Sequence, residues 1–312
     1  MGNTEKTLIK LFEAYSKNLE AFFPDLAGKF LCPLCKRLLS IEDLEKKKIT
    51  IEHIIPSAIG GKLITLTCAA CNHGAGAKLD AELLKRLQVE DVFSGKGSKP
   101  LRGKIKVGEG EQTVDLNIEF EDRPIVDLVG LPKYSNPSLQ EAAIEEFEKG
   151  KGIEIRVEFE GYRVIPSYVA IIRSAYLMMF SFFGYGYILN PNLKIVLEQI
   201  QNFTAQSNVL YGIVEIQEAK FNANQINICQ LSPSLFCFLP TLNFSTNKER
   251  YYSIVMPGLE HSGKRLYDNW KMSLESATFE VKIWKTILFD PSSISSPWLP
   301  HQIWREVESI GK

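Results

Sequence analysis

The chain lacks the excess of basic residues that many nucleic-acid-binding proteins carry. Its 36 lysines and arginines are balanced by 37 aspartates and glutamates, so the formal net charge is −1. This balance counts against non-specific coating of DNA, but it leaves room for a local basic surface. The sequence also shows no internal repeat and no low-complexity segment. At 312 residues it exceeds the usual size of a single core, so we expect two domains.

We expect no apolar run in the sequence to cross a membrane. The longest one, at residues 175–189, has about fifteen residues, whereas a transmembrane helix needs roughly 18–20, and Ser181, Gly184 and Gly186 interrupt it. We therefore predict a buried core helix that ends near Gly184. No secretory signal pattern opens the sequence, because residues 4–23 are amphipathic and charged throughout. We expect a cytoplasmic protein without a membrane partner.

Cysteine is scarce, and most of it is arranged in pairs. Two Cys-x-x-Cys motifs contain four of the six cysteines, namely Cys32, Cys35, Cys68 and Cys71. In the absence of a secretory signal, such pairs favour metal over disulfides, and four thiolates suit a tetrahedral structural Zn²⁺. A thiol redox protein is the alternative, although it explains one pair and not two. Cys229 and Cys237 lie among apolar residues and are predicted to be buried free thiols.

An acid followed by a histidine, Glu52-His53, lies between the two cysteine motifs, and Asn72 follows Cys71 directly. Hydrolysis of a phosphodiester needs an activated water and a cation on the phosphate. His53 suits the role of base, because an imidazole in its neutral form can take a proton from water. The carboxylate of Glu52 is a hard oxygen ligand for Mg²⁺, and Asn72 offers a neutral carbonyl oxygen. A single histidine on a strand, taken alone, is more often structural.

The combined pattern resembles the HNH endonuclease family, and more narrowly its subgroup with a cysteine-bound zinc and the pattern CxxC…EHIIP…GG…CxxCN. The resemblance extends over residues 29–87. It implies a ββα-metal fold in which His53 is the general base, while Glu52 and Asn72 hold a catalytic Mg²⁺ or Mn²⁺. His73, beside Asn72, is the alternative ligand.

Two positions depart from that family pattern. The central asparagine of the motif is missing from the stretch between Gly61 and Cys68, and Glu52 stands where aspartate is commoner. The resemblance implies that this asparagine orients the base through backbone contacts. The exchange of one acid for another is chemically mild.

Basic side chains near the motif are candidates for contacts with nucleic acid. Lys78, Lys85 and Arg86 lie on the predicted helix after Cys71 and adjoin the predicted site. A basic run usually means only a solvated face. A second candidate face, for a ligand or for nucleic acid, lies far from the motif and consists of Arg163, Arg173, Lys282 and Lys285. DNA is the expected partner, with RNA as the alternative, and the near-neutral chain suggests a homodimer or an activating partner protein.

Hydrophobic periodicity indicates an α+β fold. Residues 4–23 have the spacing of a helix, residues 49–55 and 63–67 read as strands, and a helix follows Cys68. Further helices are predicted at 138–149, 167–183 and 192–203, and further strands at 104–107, 113–119, 152–160, 209–217, 225–231, 251–256 and 279–288. A polar stretch at 94–100 separates two predicted domains, which are residues 1–93 with the HNH site and an α+β domain of unknown role at 94–312.

These observations favour a metal-dependent DNA endonuclease, and we expect a role in bacterial defence or mobile-element biology. The alternative is a non-catalytic zinc ribbon that binds nucleic acid or a partner protein. In that case Glu52 and His53 are structural.

Overall fold

A computed structural model describes most of the chain. The described residues are 2–96, 100–107, 110–120, 124–130, 136–149, 156–159, 161–204, 208–216, 225–232, 235–259, 263–275, 281–288, 301–303 and 305–306.

The first helix, α1 (Asn3–Glu20), confirms the amphipathic segment that the sequence predicts. Its buried face carries Phe12, Tyr15 and Leu19, which follow the three- and four-residue spacing of one helix face. The helix ends before Pro24, where a proline cannot continue the hydrogen-bonding pattern of the preceding turn.

Two short hairpins follow, separated by helix α2 (Ile41–Glu45). Strands β1 (Lys29–Leu31) and β2 (Leu38–Ser40) form the first hairpin, and their pairing is antiparallel, as is that of the second hairpin. Strands β3 (Ile49–His53) and β4 (Ile64–Cys68) form the second, and their isoleucines and threonines suit a pleated, half-buried surface.

The chain enters a helix directly after β4. A π-helical stretch at Cys71–Gly76 leads into α3 (Ala77–Phe93). Strand, turn, strand and helix therefore follow one another in the predicted order. The π-helical stretch was not predicted, and such stretches occur frequently at functional sites.

By their contacts the residues form two compact units, and the second comprises Leu84–Arg163 and Thr246–Lys248. Its antiparallel sheet has the order β7-β6-β5-β8. The elements of this unit that follow α3 are β5 (Leu101–Val107), β6 (Gly110–Phe120), β7 (Pro124–Gly130), α4 (Pro137–Glu148) and β8 (Arg156–Phe159). The predicted hairpin and helix are confirmed, while part of the predicted strand at 152–160 lies outside the described residues.

The first unit comprises Met1–Leu83, Val164–Ser245 and Glu249–Lys312. Its larger sheet has the order β14-β10-β11-β12-β9, and β13 pairs with β11. The strands are β9 (Ile213–Ile216), β10 (Gln225–Ser232), β11 (Leu235–Ser245), β12 (Glu249–Ile254), β13 (Met256–Pro257) and β14 (Lys282–Leu288). The helices are α5 (Val164–Phe183), α6 (Tyr185–Ile188), α7 (Lys194–Gln201) and α8 (Gly263–Leu274).

The two units do not coincide with the predicted domains 1–93 and 94–312. Helix α5 packs against the N-terminal elements, where the rings of Tyr15 and Phe180 stack with their centroids 4.4 Å apart. The Tyr185 hydroxyl donates to the Leu31 carbonyl at 2.8 Å and accepts from the Leu31 amide at 2.9 Å. The N-terminal elements therefore share a core with residues that follow position 163.

Helix α5 is the most apolar helix of the described chain. Its 20 residues meet the length and composition of a membrane span, but 83% of its most apolar window is buried inside the protein. It ends at Phe183, next to Gly184, as predicted. We interpret it as a core helix.

Cys229 and Cys237 are buried free thiols, as predicted. They lie opposite each other on β10 and β11. Burial raises the pKa of Cys229 to about 12 and the pKa of Cys237 well above the usual range of a thiol.

Candidate metal centre and catalytic site

The structure brings the four paired cysteines together. The sulfur atoms of Cys32, Cys35, Cys68 and Cys71 all lie within 4.8 Å of one another, and those of Cys35 and Cys68 are 3.6 Å apart. Zinc binds thiolates at about 2.3 Å in tetrahedral geometry, which places the sulfurs about 3.8 Å apart. The four-cysteine cluster therefore fits a structural zinc ion, in agreement with the sequence prediction.

The backbone of the first cysteine motif forms a tight knuckle. The Lys36 amide donates to the Cys32 carbonyl and the Cys32 amide donates to the Arg37 carbonyl, both at 2.9 Å. Lys36 adopts the left-handed conformation with φ 57°. Hydrogen bonding from Cys32 lowers the pKa of Cys35 to about 4 and that of Cys68 to about 6. Thiolates are the form that binds zinc.

Glu52, the acid of the motif, is buried and forms an ion pair. It is 3% exposed, and its Oε1 accepts from Nη2 of Arg173 at 2.7 Å. Its Oε2 accepts from the Thr67 hydroxyl at 3.2 Å. Arg173 lies on α5 and is itself 2% exposed. Among the described residues each carboxylate oxygen accepts from one donor, and a carboxylate offers about four lone-pair sites in total, so acceptor capacity remains.

A second carboxylate approaches the same arginine. Nη1 of Arg173 lies 3.6 Å from Oδ1 of Asp80 on α3. Burial raises the pKa of Asp80 to about 6, and the charge of Arg173 partly opposes this shift. Arg173 thus bridges the strand that carries Glu52 and the helix that carries Asp80.

His53 has the opposite environment from its neighbour. It is the last residue of β3, lies opposite Ile64 in the hairpin, and is exposed to solvent. Successive side chains on a strand point to opposite faces, so His53 and Glu52 lie on different sides of β3. The exposed imidazole is accessible to water and to a phosphodiester.

Asn72 is fixed against β3. Its Nδ2 donates to the Ile51 carbonyl at 2.9 Å and to the Thr50 hydroxyl at 3.1 Å. Thr50 and Glu52 are two residues apart and share one face of the strand, so Asn72 reaches the face that carries Glu52. With the amide hydrogens directed at the strand, Oδ1 is the atom that can face a cation. His73, the alternative ligand, is exposed.

The donor set of Glu52 and Asn72 fits a hard divalent cation. A carboxylate and an amide carbonyl are oxygen ligands of the kind that Mg²⁺ and Mn²⁺ prefer. Both side chains reach the same face of β3, and both are oriented by hydrogen bonds to neighbouring groups.

One predicted nucleic-acid contact needs correction. Arg86 is 5% exposed, and its Nε lies 2.7 Å from Oε1 of Glu90 one helical turn away, so its guanidinium is held inside the protein. Lys85 is half-buried, whereas Lys78 is exposed and accessible to a phosphate. Of the three predicted basic residues, Lys78 has the solvent exposure that such a contact needs.

The sequence pattern placed Arg173 only in a separate candidate face for a ligand or nucleic acid. No local spacing could connect it to Glu52, because 121 positions separate the two residues. The available signal was an arginine within an otherwise apolar helix, since a charged side chain that is fully buried is almost always paired.

Comparison with known proteins agrees with this geometry. Residues 32–88 match the family model described as HNH endonuclease. The match includes both cysteine motifs and the Glu52-His53 pair, and the predicted family resemblance is confirmed. No curated protein and no solved structure matches the chain.

Proposed function

We propose that this protein, in which residues 32–88 form an HNH endonuclease domain, hydrolyses phosphodiester bonds in DNA with the help of a divalent metal. The observation that carries the proposal is the arrangement around β3. An exposed histidine lies beside a buried, oriented carboxylate, and Asn72 is bonded to the same strand next to the four-cysteine cluster.

His53 serves as the general base in this proposal. Its exposed imidazole takes a proton from a water molecule, whose oxygen forms a bond to the phosphorus atom while the bond from phosphorus to the leaving oxygen breaks. A positioned general base typically contributes about 10²- to 10⁴-fold to a rate. The strand holds His53 at the edge of the site, because the neighbouring Ile54, Ile55 and Pro56 are buried and fix the backbone that follows it.

Glu52 and Asn72 are the residues that hold Mg²⁺ or Mn²⁺. When bound, the cation neutralises charge on the phosphate and on the leaving oxygen. Arg173 and Thr67 orient the Glu52 carboxylate, and the contacts with Thr50 and Ile51 orient Asn72. The four cysteines hold a structural Zn²⁺, which fixes the position of Asn72 because Cys71 directly precedes it.

The proposal is tested with supercoiled plasmid, single-stranded DNA and RNA, each incubated with the full chain in Mg²⁺, Mn²⁺ or EDTA. We expect metal-dependent nicking or linearisation of the plasmid and none in EDTA. The His53→Ala variant is expected to keep its zinc and its melting temperature but to lose cleavage. Cleavage of RNA without cleavage of either DNA would show that the substrate is RNA and not DNA.

A non-catalytic zinc module is the second candidate function. The ion pair that occupies Glu52 favours it, since a buried acid can serve the fold alone. In that case the wild-type chain binds zinc and cleaves none of the three substrates. The roles in bacterial defence or mobile-element biology, the cytoplasmic location and the homodimer or activating partner stay predictions.

A further inference from the structure

We propose that Arg173 is a positioning residue of the nuclease site, which helix α5 contributes from a distant part of the chain. The inference rests on the proposed function. Arg173 holds the Glu52 carboxylate in the direction in which its remaining lone pairs can bind the divalent cation.

The contacts of Arg173 support this role. Its guanidinium is 2% exposed, and Nη2 lies 2.7 Å from Oε1 of Glu52, while Nη1 lies 3.6 Å from Oδ1 of Asp80. The planar guanidinium presents its N–H donors in a rigid fork, so the hydrogen bond from Nη2 fixes the direction of the Glu52 carboxylate, while Nη1 forms an ion pair with Asp80. Arg173 thereby connects β3, which carries the proposed base, to α3.

Gly76 provides the space that the guanidinium occupies. A Cβ atom at this position would lie 2.6 Å from Nη2 of Arg173 and 3.1 Å from its Cζ. Gly76 has no left-handed φ angle, and glycine inside a helix is less favourable than alanine. Conformation alone therefore favours alanine at position 76. Glycine is needed because Arg173 makes the closest approach, and the Cys71 carbonyl oxygen would also lie 3.1 Å from a Cβ atom there.

Gly74 provides a matched control in the same π-helical stretch. A Cβ atom there would meet nothing within 4 Å, and its φ is likewise not left-handed. Substitution of Gly74 by alanine makes the same chemical change as substitution of Gly76. Only the change at Gly76 displaces the guanidinium.

A purely structural ion pair and a positioning residue make different demands on the site. A structural pair stabilises the fold and leaves cation affinity unchanged when the fold survives. A positioning residue controls the direction of a ligand, and removal of such a partner typically lowers metal affinity or activity by about 10- to 100-fold. Gly76→Ala shifts the Arg173 guanidinium but leaves its positive charge inside the protein. The variant therefore tests the direction of the Glu52 carboxylate more than the charge beside it.

The experiment uses the full-length zinc-bound chain and its variants Arg173→Lys, Arg173→Met, Gly76→Ala and Gly74→Ala. Mn²⁺ affinity is measured without DNA, from the electron paramagnetic resonance signal of free Mn²⁺. Plasmid cleavage is measured at saturating Mn²⁺, and zinc content and melting temperature are recorded for every variant. Phe183→Leu serves as a control for loss of packing on α5, because it lies about 15 Å along the helix from Arg173.

We expect Gly76→Ala and Arg173→Met to weaken Mn²⁺ binding at least 10-fold and to slow cleavage. The Mn²⁺ affinity and cleavage rate of Arg173→Lys are expected to lie between those of the two weaker variants and those of the wild type. An ammonium keeps the positive charge but not the planar fork of N–H donors. Gly74→Ala and Phe183→Leu bind Mn²⁺ like the wild type. If Arg173→Met does not fold, Gly76→Ala alone decides the question.

Unchanged or tighter Mn²⁺ binding in folded Gly76→Ala, with wild-type cleavage, overturns the positioning role while the proposed nuclease stands. A wild-type chain that neither binds Mn²⁺ nor cleaves any substrate overturns the proposed function, and the inference with it.

Discussion

Glu52 and His53 are adjacent residues with opposite environments, and the chemistry of the site depends on that contrast. The buried carboxylate is compensated by Arg173 and Thr67, while the imidazole is open to solvent. Removing one partner of a buried ion pair typically costs about 3–5 kcal/mol, because it leaves an uncompensated charge. The acid is therefore held firmly, and the base remains accessible.

A substitution at Asn72 shows whether its amide N–H donors contribute to stability separately from its carbonyl oxygen. Asn72→Asp keeps an oxygen ligand but removes the Nδ2 donor to Ile51 and Thr50. We expect the free energy of unfolding to fall by about 1–3 kcal/mol, because a carboxylate oxygen then faces the Ile51 carbonyl. Chemical denaturation measures the change. Asn269→Asp is the control, since it removes a comparable donor on the surface of α8, and equal stability losses in both variants would contradict the account.

At the scale of elements, the cysteine cluster connects the first hairpin to the junction between β4 and the π-helical stretch. Cys68 ends β4 and Cys71 begins that stretch. A zinc ion at these cysteines fixes where the helix starts relative to β3 and β4, and hence where Asn72 lies.

Loss of one cysteine is expected to remove the zinc and unfold the elements around it. Cys68→Ser weakens the site because a hydroxyl is a poor zinc ligand, and metal binding and folding are coupled in small zinc sites. Zinc content and thermal melting measure the effect. Cys229→Ala, which removes a buried thiol outside the cluster, is expected to keep one zinc per chain. Retained zinc and a normal melting temperature in Cys68→Ser would refute the cluster as a zinc site.

The sequence was sufficient to predict those elements whose periodicity is local. The strands β3 and β4 and the helix α1 lie close to their predicted positions because one face of each is buried. Helix α5 was predicted from residue 167, but it begins at Val164, since Pro166 is tolerated in a first turn.

Strand β11 was not predicted, because Pro240 interrupts its pattern and proline argues against a strand interior. In the sheet Pro240 lies opposite Ile226 of β10. On the other side of β11, pairing passes from Phe238 with β13 to Thr241 with β12. Pro240 lies between these two pairings, where its missing N–H is tolerated.

At the scale of the whole molecule, the N-terminal elements share their core with residues that follow position 163. Tyr15 stacks on Phe180, and the hydroxyl of Tyr176 donates to the Pro33 carbonyl at 3.1 Å. Contacts between residues more than a hundred positions apart leave no periodic signal in the sequence. The predicted boundary at residue 94 was inferred from a polar stretch, which indicates a linker but not how the segments pack.

A fragment of residues 1–93 is therefore expected to be unstable. It loses Arg173 and the aromatic residues of α5. Glu52 then lacks the guanidinium that pairs with it, and Tyr15 lacks Phe180, on which its ring stacks. We expect no cooperative thermal transition and reduced zinc retention, measured beside the full chain at equal concentration. A fragment that melts cooperatively, binds one zinc and cleaves DNA would show that the domain is independent.

The most direct measurement is the rate of plasmid cleavage by wild-type protein and by His53→Ala in Mn²⁺, compared at equal zinc content. A general base at position 53 predicts a rate lower by about 10²- to 10⁴-fold in the variant. Equal rates in the two proteins would contradict the assignment of the site to His53.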